Sequence, residues 1–428
     1  MPKSSKILLL VVSVALVVAV FLGVNASGVS AATDTQDGAY KQINVYSEVL
    51  RHIQTDYVVE PNIPKVTNGA LRGLLESLDV DSSYLTPEEY KMYKSQVAGK
   101  AQVGINISKR GGYAMVVSVV PGSPADKANL KDGNFIEAIG TTDTLNLSLA
   151  VIQKMLEGQP GTELSLGVVR PGRAVPEKVT MTRTMVTLPP VQETLYDNST
   201  ILYLKPGVLD HEHVQQVEAK LKGMQKAGSK KILLDLRDVA AGDMTDATRL
   251  ANFFLKTGTI ATLEGQKFPK QTFEADAKLA INATAPMVVL VNRGTSGPAE
   301  LVAGALLDDK RAELVGERTF GEGAQQKTFE LPDGAALILS VAKYQSPSGK
   351  KLQDDGVTPG TLVASNTADV DDGDGDDDAT APPSSERKPA ITGTPVAVMP
   401  TTPTVKKPDA QVDNQLNKAL DMLKAKAA

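Results

Sequence analysis

The spacing of apolar positions changes twice along the chain. In residues 38–99 it is helical: within YKQINVYSEVLRHIQTDYV, Ile43, Tyr46, Val49, Leu50 and Ile53 recur on one face. VTNGALRGLLESLD and SSYLTPEEYKMYKSQV continue the helical segment. In the second, Thr86 as N-cap, Pro87 at the first helical position and Glu89 closing a capping box predict a helix start. Across residues 101–186 the period falls to two. VGINISKRGGYAMVVSVVPGSPADKANLKDGNFIEAIG reads as strand, turn, strand, short helix and strand, followed by the helix LSLAVIQKMLEG and a closing hairpin. Residues 187–363 alternate strands, such as KKILLDLRDV and APMVVLVN, with amphipathic helices, the pattern of a packed α/β core. The expected fold class is therefore multidomain α+β.

Both ends depart from this. Lys3 and Lys6 precede an apolar run, residues 7–24, and Val29-Ser30-Ala31 has the small residues of a cleavage site, so residues 1–32 read as a signal peptide or a membrane anchor. Either reading places the rest outside the cytoplasm, periplasmic or secreted, or held at the inner membrane by that run. Residues 364–409 are Asp-rich and then Pro/Thr-rich, the composition of a disordered linker. Residues 410–428 regain a helical face through Val412, Leu416, Ala419, Leu420 and Leu423, which suits docking on a folded domain.

Composition narrows the chemistry. The chain of 428 residues has no Cys, which excludes thiol catalysis, disulfides and Cys-bound metals. Net charge is −5 and no basic stripe carries interleaved aromatics, so no nucleic-acid partner is expected. Of the three histidines, His211 and His213 sit two apart at a helix start and read as solvated rather than metal-binding. The Asp run lacks the Gly and Glu placement of an EF-hand. No metal and no cofactor are expected.

Several phrases, in order, carry a resemblance: LRGLLESLDVDSSYLTPEEY, VVPGSPADKANLKDGNFIEAIG, ILLDLRD, LVAGALLDDKRAELVGERTFGEG and YQSPSGKKLQDDGVTP. With the leader, helical segment and terminal helix, they resemble the C-terminal processing (tail-specific) serine peptidases over residues 40–363. The resemblance implies an exported endopeptidase. Its PDZ domain would capture the carboxyl end of a substrate and a serine with a lysine base would cleave it, a glutamine orienting the lysine. A serine hydroxyl needs such a base, and burial lowers a lysine pKa enough to provide one.

The dyad positions depart from that pattern. Asn292, Gly294 and Glu300 keep the frame of a family phrase similar to Asn-x-Gly-Ser-Ala-Ser-Ala-Ser-Glu, which places Gly297 at the nucleophile position and leaves Ser296 one residue early. The phrase similar to Phe-Gly-Lys-Gly reads Phe320-Gly321-Glu322-Gly323, with Glu322 at the lysine position and the glutamine retained as Gln326. The oxyanion-shaping segment reads Leu236-Arg237-Asp238-Val239-Ala240-Ala241-Gly242, where an Ala at positive φ would be strained. TSGPAE is equally explained as a helix start, with Ser296 or Gly297 as cap, Pro298 at the first position and Glu300 on the dipole.

The expected function is a tail-binding pseudoprotease, adaptor or regulator. The alternative is an active endopeptidase using Ser296, for which Glu322 would need strong burial to act as base. For tail capture by strand addition, Gln102, Val103, Gly104 and Ile105 are the candidate carboxylate loop. Leu149, Ile152 and Gln153 are the candidate far wall, with the C-terminal tails of exported or envelope proteins as partners. The apolar members of that set are equally suited to a core.

Overall fold

The computed structural model describes residues 33–95, 101–145, 147–173, 175–224, 226–365 and 413–426. The leader, residues 1–32, and nearly all of the linker, residues 366–412, lie outside them. Among the described residues no helix is long and apolar enough to cross a membrane. The chain divides at Gly69 into two compact units. The first holds helix α1 (Thr33–Asp56), which carries the apolar stripe from Ile43 to Ile53, and the start of α2 (Ile63–Glu76).

In the second unit, after the rest of α2, a strand stands where helix was expected. β1 (Ser83–Leu85) lies between α2 and α3 (Pro87–Lys94) and pairs antiparallel with a distant strand near residue 338. Three residues are too few to display a period. The capping box of α3 is formed: Thr86 Oγ1 accepts from Glu89 N–H at 3.3 Å, and Glu89 Oε2 accepts from Thr86 N–H at 2.9 Å.

The next module contains β2 (Ile105–Arg110), β3 (Tyr113–Val119), α4 (Pro124–Lys127), β4 (Phe135–Ile139), β5 (Thr142–Asp143), α5 (Leu149–Leu156), β6 (Glu163–Val169) and β7 (Glu177–Thr182). Its antiparallel sheet runs β2-β3-β4-β6-β7, so β2 is an edge strand. Alternate residues of these strands, including Ile107, Val116, Ile136 and Leu166, meet Ile152 of α5 in one apolar core.

The remaining elements are β8 (Gln192–Tyr196), β9 (Ile201–Lys205), α6 (His211–Gly223), β10 (Lys231–Asp235), α7 (Met244–Asn252), β11 (Thr259–Glu264), β12 (Gln271–Glu274), β13 (Met287–Val291), α8 (Pro298–Asp308), β14 (Glu313–Gly316), β15 (Ala324–Glu330), β16 (Ala336–Gln345), β17 (Thr361–Leu362) and α9 (Asn414–Ala425). One sheet runs β17-β14-β13-β10-β9-β8 and is parallel except for β8. Its central strands β10 and β13 are buried at every position. Such strands read as continuous apolar runs because helices cover both faces. α6, α7 and α8 cover one face, and α9 covers the other through Ala419 and Leu423. A second sheet, β1-β16-β11-β12 with β15 beside β16, packs against α8 and carries Glu322 at its approach.

Candidate functional site

The end of β13 turns sharply into α8, and the turn is fixed at each step. Thr295 Oγ1 accepts from Asn292 N–H at 3.0 Å and donates to the Leu236 carbonyl at 2.8 Å. Ser296 N–H donates to the Val239 carbonyl at 3.0 Å. Gly297 then takes φ 53° and ψ −112°, and Pro298 begins the helix. A side chain at that φ/ψ is strained, and glycine removes the strain. This is the geometry of a strand-to-helix elbow that exposes a nucleophile in hydrolases. Here the apex carries none.

Ser296 does not fill the role from its neighbouring position. Its side chain is fully buried, and its hydroxyl donates to Glu322 Oε2 at 2.6 Å. Glu322 is half-buried; burial pushes its carboxyl above the ordinary range, against the opposing pull of the Ser296 hydrogen bond. A Cβ placed on Gly297 would meet Glu322 Oε2 at 3.9 Å and Cδ at 4.0 Å, with nothing closer. Residue 322 therefore faces the side-chain position of residue 297 across van der Waals distance, as a base faces its nucleophile. Lys327 lies over the Phe329 ring at 5.2 Å, and Lys343 pairs with Asp354 at 3.0 Å, so neither supplies an amine there.

Glu300 holds the two arms of the site together. Its carboxylate accepts from the N–H groups of Gly297 at 3.0 Å, Gly321 at 2.8 Å and Glu322 at 2.7 Å, and from the Thr319 hydroxyl. Its burial nevertheless raises its pKa to about 7. Gln326 does not reach Glu322: it is exposed, and its Nε2 donates to the Asp81 carbonyl at 3.1 Å. Asp81, which sequence reasoning passed over, stands behind Glu322. Its carboxyl is raised to about 7, chiefly by burial and then by the negative charge of Glu322, with the Gln353 side chain acting against the shift. Its phrase LDVDSSYL was legible as a family resemblance, but nothing local ties Asp81 to residue 322.

Two expectations are corrected. In the segment from Leu236 to Gly242, positive φ falls on Asp238 (63°) and Gly242 (147°), not on Ala240 or Ala241, so the alanines are unstrained. Asp238 tolerates its conformation because Asn292 binds it twice, Oδ1 accepting from its N–H at 3.0 Å and Nδ2 donating to its Oδ1 at 2.8 Å. His213 is not solvated like His211. It is 5% exposed, its Nδ1 lies 2.6 Å from Asp210 Oδ1 and its Nε2 lies 3.1 Å from the Pro189 carbonyl, so it ties the helix start to the preceding segment.

The edge strand β2 and the helix α5 flank a cleft of about 310 Å³ that reaches Ala240 and Glu322. Ile105, Asn106, Ile107 and Val117 form one wall, Gln153, Leu156 and Glu157 the other, and Ala240 and Glu322 close the end. Gln102 also lines it. Val103, Leu149 and Ile152 sit instead in the packed core of the module. Gly104 has φ 83°, and an added Cβ would meet Ser123 Cβ at 2.3 Å. The loop's carbonyls are taken, Val103 O by Ala125 N–H and Gly104 O by Val120 N–H, both at 2.9 Å. Among the described residues the N–H groups of Val103 and Gly104 have no backbone acceptor.

A strand-to-helix elbow on a mostly parallel sheet, beside a small antiparallel module with an edge strand and a cleft, is the arrangement of a hydrolase-type core joined to a second, β-rich module. Comparison with known proteins makes this specific. Residues 201–363 match peptidase family S41 and residues 115–170 match the PDZ domain. The carboxyl-terminal-processing protease of Synechocystis sp. is 33% identical over 69% of this chain and 71% of its own. The carboxy-terminal-processing protease of Bartonella bacilliformis is 30% identical over 78% of each chain. The solved photosystem II D1 C-terminal processing protease superposes with a TM-score of 0.62 at 25% identity, over 75% of this chain and 92% of that one. The chain belongs to the carboxyl-terminal-processing proteases of peptidase family S41.

Proposed function

We propose that this protein is an exported, tail-binding member of the family that has given up serine–lysine proteolysis. The observation that carries the reading is the facing pair itself: Gly297 at the elbow apex and the Glu322 carboxylate opposite it, with a hydroxyl at neither position. A carboxylate at 322 cannot replace a neutral lysine unless a hydroxyl stands within reach of both it and a substrate carbonyl. The peptide-capture side is supported by the open edge of β2, the two N–H groups of the Gly104 loop and the groove running to Glu322. Such a molecule would hold C-terminal tails of envelope or secreted proteins as an adaptor, decoy or regulator.

One observation favours a second reading. The 2.6 Å hydrogen bond from Ser296 to a carboxyl of raised pKa is the geometry of a nucleophile and its base. Against it, Ser296 has no exposed surface. The deciding experiment is turnover of an unfolded protein with an apolar C-terminus by the parent, Ser296→Ala and the double variant Gly297→Ser/Glu322→Lys. The proposal expects no cleavage by parent or Ser296→Ala and gain of cleavage by the double variant. Cleavage by the parent that disappears in Ser296→Ala overturns it.

A further inference from the structure

We propose that the acidic end of the cleft is a recognition site for a cationic side chain, lysine or arginine, carried by the captured peptide upstream of its C-terminus. The inference rests on the tail-binding reading and specifies which tails are held.

Three observations converge on it. The charged groups lining the cleft are both carboxylates, Glu157 and Glu322. Glu157 is neutralised by Lys154 at 2.8 Å, whereas Glu322 has only the Ser296 hydroxyl on it and no ion pair among the described residues. Behind it, Asp81 is 7% exposed, and its Oδ2 is shut from solvent with no hydrogen-bond partner. Ionising both carboxyls in this buried place is costly without a cation, and a positive, donor-rich group at Glu322 would offset that cost. The third observation is room: the side-chain space of Gly297 has no neighbour nearer than Glu322.

The chemistry selects a side chain rather than a bare ion. Among the described residues no group of three acidic or histidine side chains is arranged to hold a metal. The cleft instead continues from the edge of β2, where an extended chain would lie. A lysine or arginine directed inward would pack its methylenes along Ile105 and Leu156 and deliver its charge to Glu322. The charged donor would stand where the relatives' pattern puts a lysine of the chain itself. The site has thus exchanged an internal cation for one brought by the ligand.

The test is fluorescence anisotropy of the full chain in mild detergent with labelled peptides of about ten residues and a free apolar C-terminus. A single lysine is moved through the upstream positions, and norleucine at the same position is the neutral control. At one register the lysine peptide should bind at least about tenfold tighter than its norleucine twin. Glu322→Gln, which keeps an acceptor for Ser296, should reduce that ratio below about threefold; Glu322→Lys should invert it. Equal affinities for lysine and norleucine at every register overturn the proposal. Amidated peptides separate the two levels: if amidation costs no affinity, carboxylate capture fails while the lysine ratio still decides this site. Absence of binding by every peptide overturns both.

Discussion

Replacing Asp81 by asparagine tests the electrostatics of the site without touching its packing. Burial and the neighbouring Glu322 charge raise the Asp81 carboxyl from 3.8 to about 7. The shift spans about three pH units, which at 1.36 kcal/mol per unit amounts to on the order of 4 kcal/mol of native-state preference for the protonated form. Because the folded pKa lies above the unfolded one, this stability is fully present below pH 3.8 and is lost as pH rises through about 7. Asparagine mimics the protonated carboxyl at every pH. Urea unfolding of parent and Asp81→Asn between about pH 3.5 and pH 8 should therefore give curves that converge at the acid end. At pH 8 the variant should be more stable by about 2–4 kcal/mol, the lower figure applying where water reaches the pair. Parallel curves across the range, or a variant weaker at pH 8 than at pH 5 by the same margin as the parent, would refute the argument.

Two further substitutions probe the elements around the site. Gly104→Val must place a Cβ 2.3 Å from that of Ser123 at a φ of 83°, so we expect loss of tail-peptide binding and a thermal destabilisation of about 3 kcal/mol or more; an unchanged melting temperature would show that the close approach is not real. Lys231 is buried and its ammonium donates to the carbonyls of Leu423 at 2.9 Å and Lys426 at 2.7 Å, capping the end of α9. Lys231→Met should cost about 2–4 kcal/mol of helix docking, read as faster amide exchange confined to residues 414–425, and uniform exchange in the two proteins would count against the cap.

What the sequence showed and what it hid differ in range. The capping box at Thr86 and Glu89 involves residues three apart, and it forms as read. The departure of Gly297 and Glu322 from the family phrases is likewise read from adjacent letters alone. β1, β11 and β12 were missed. β1 has three residues and β12 four, and β1 owes its existence to pairing with β16 some 250 residues later, for example Ser83 with Ile338. The same limit hid the chemistry of Glu322. Its burial, its hydroxyl partner 26 residues away and its acidic neighbour at 81 are products of tertiary packing. His213 was misjudged because the pattern around a helix start does not show that a preceding carbonyl, Pro189, folds back over it.

The frame around the elbow is held by residues other than 297 and 322. Glu300 gathers N–H groups from the elbow and from the Gly321–Glu322 arm, Asn292 secures Asp238, and Thr295 stitches β13 to Leu236. None of these contacts uses the side chain of 297 or 322. Glycine at the apex also removes a strain of about 1–3 kcal/mol that a nucleophile there would impose. Putting a carboxylate where an amine would stand works the other way, since a half-buried acid beside Asp81 loses stability as pH rises. A neutral glutamine at 322 would have kept the Ser296 hydrogen bond without that cost. Retention of an acid in this position is therefore best understood through something that neutralises it, and the groove leading to Glu322 is the route by which a positive charge would arrive.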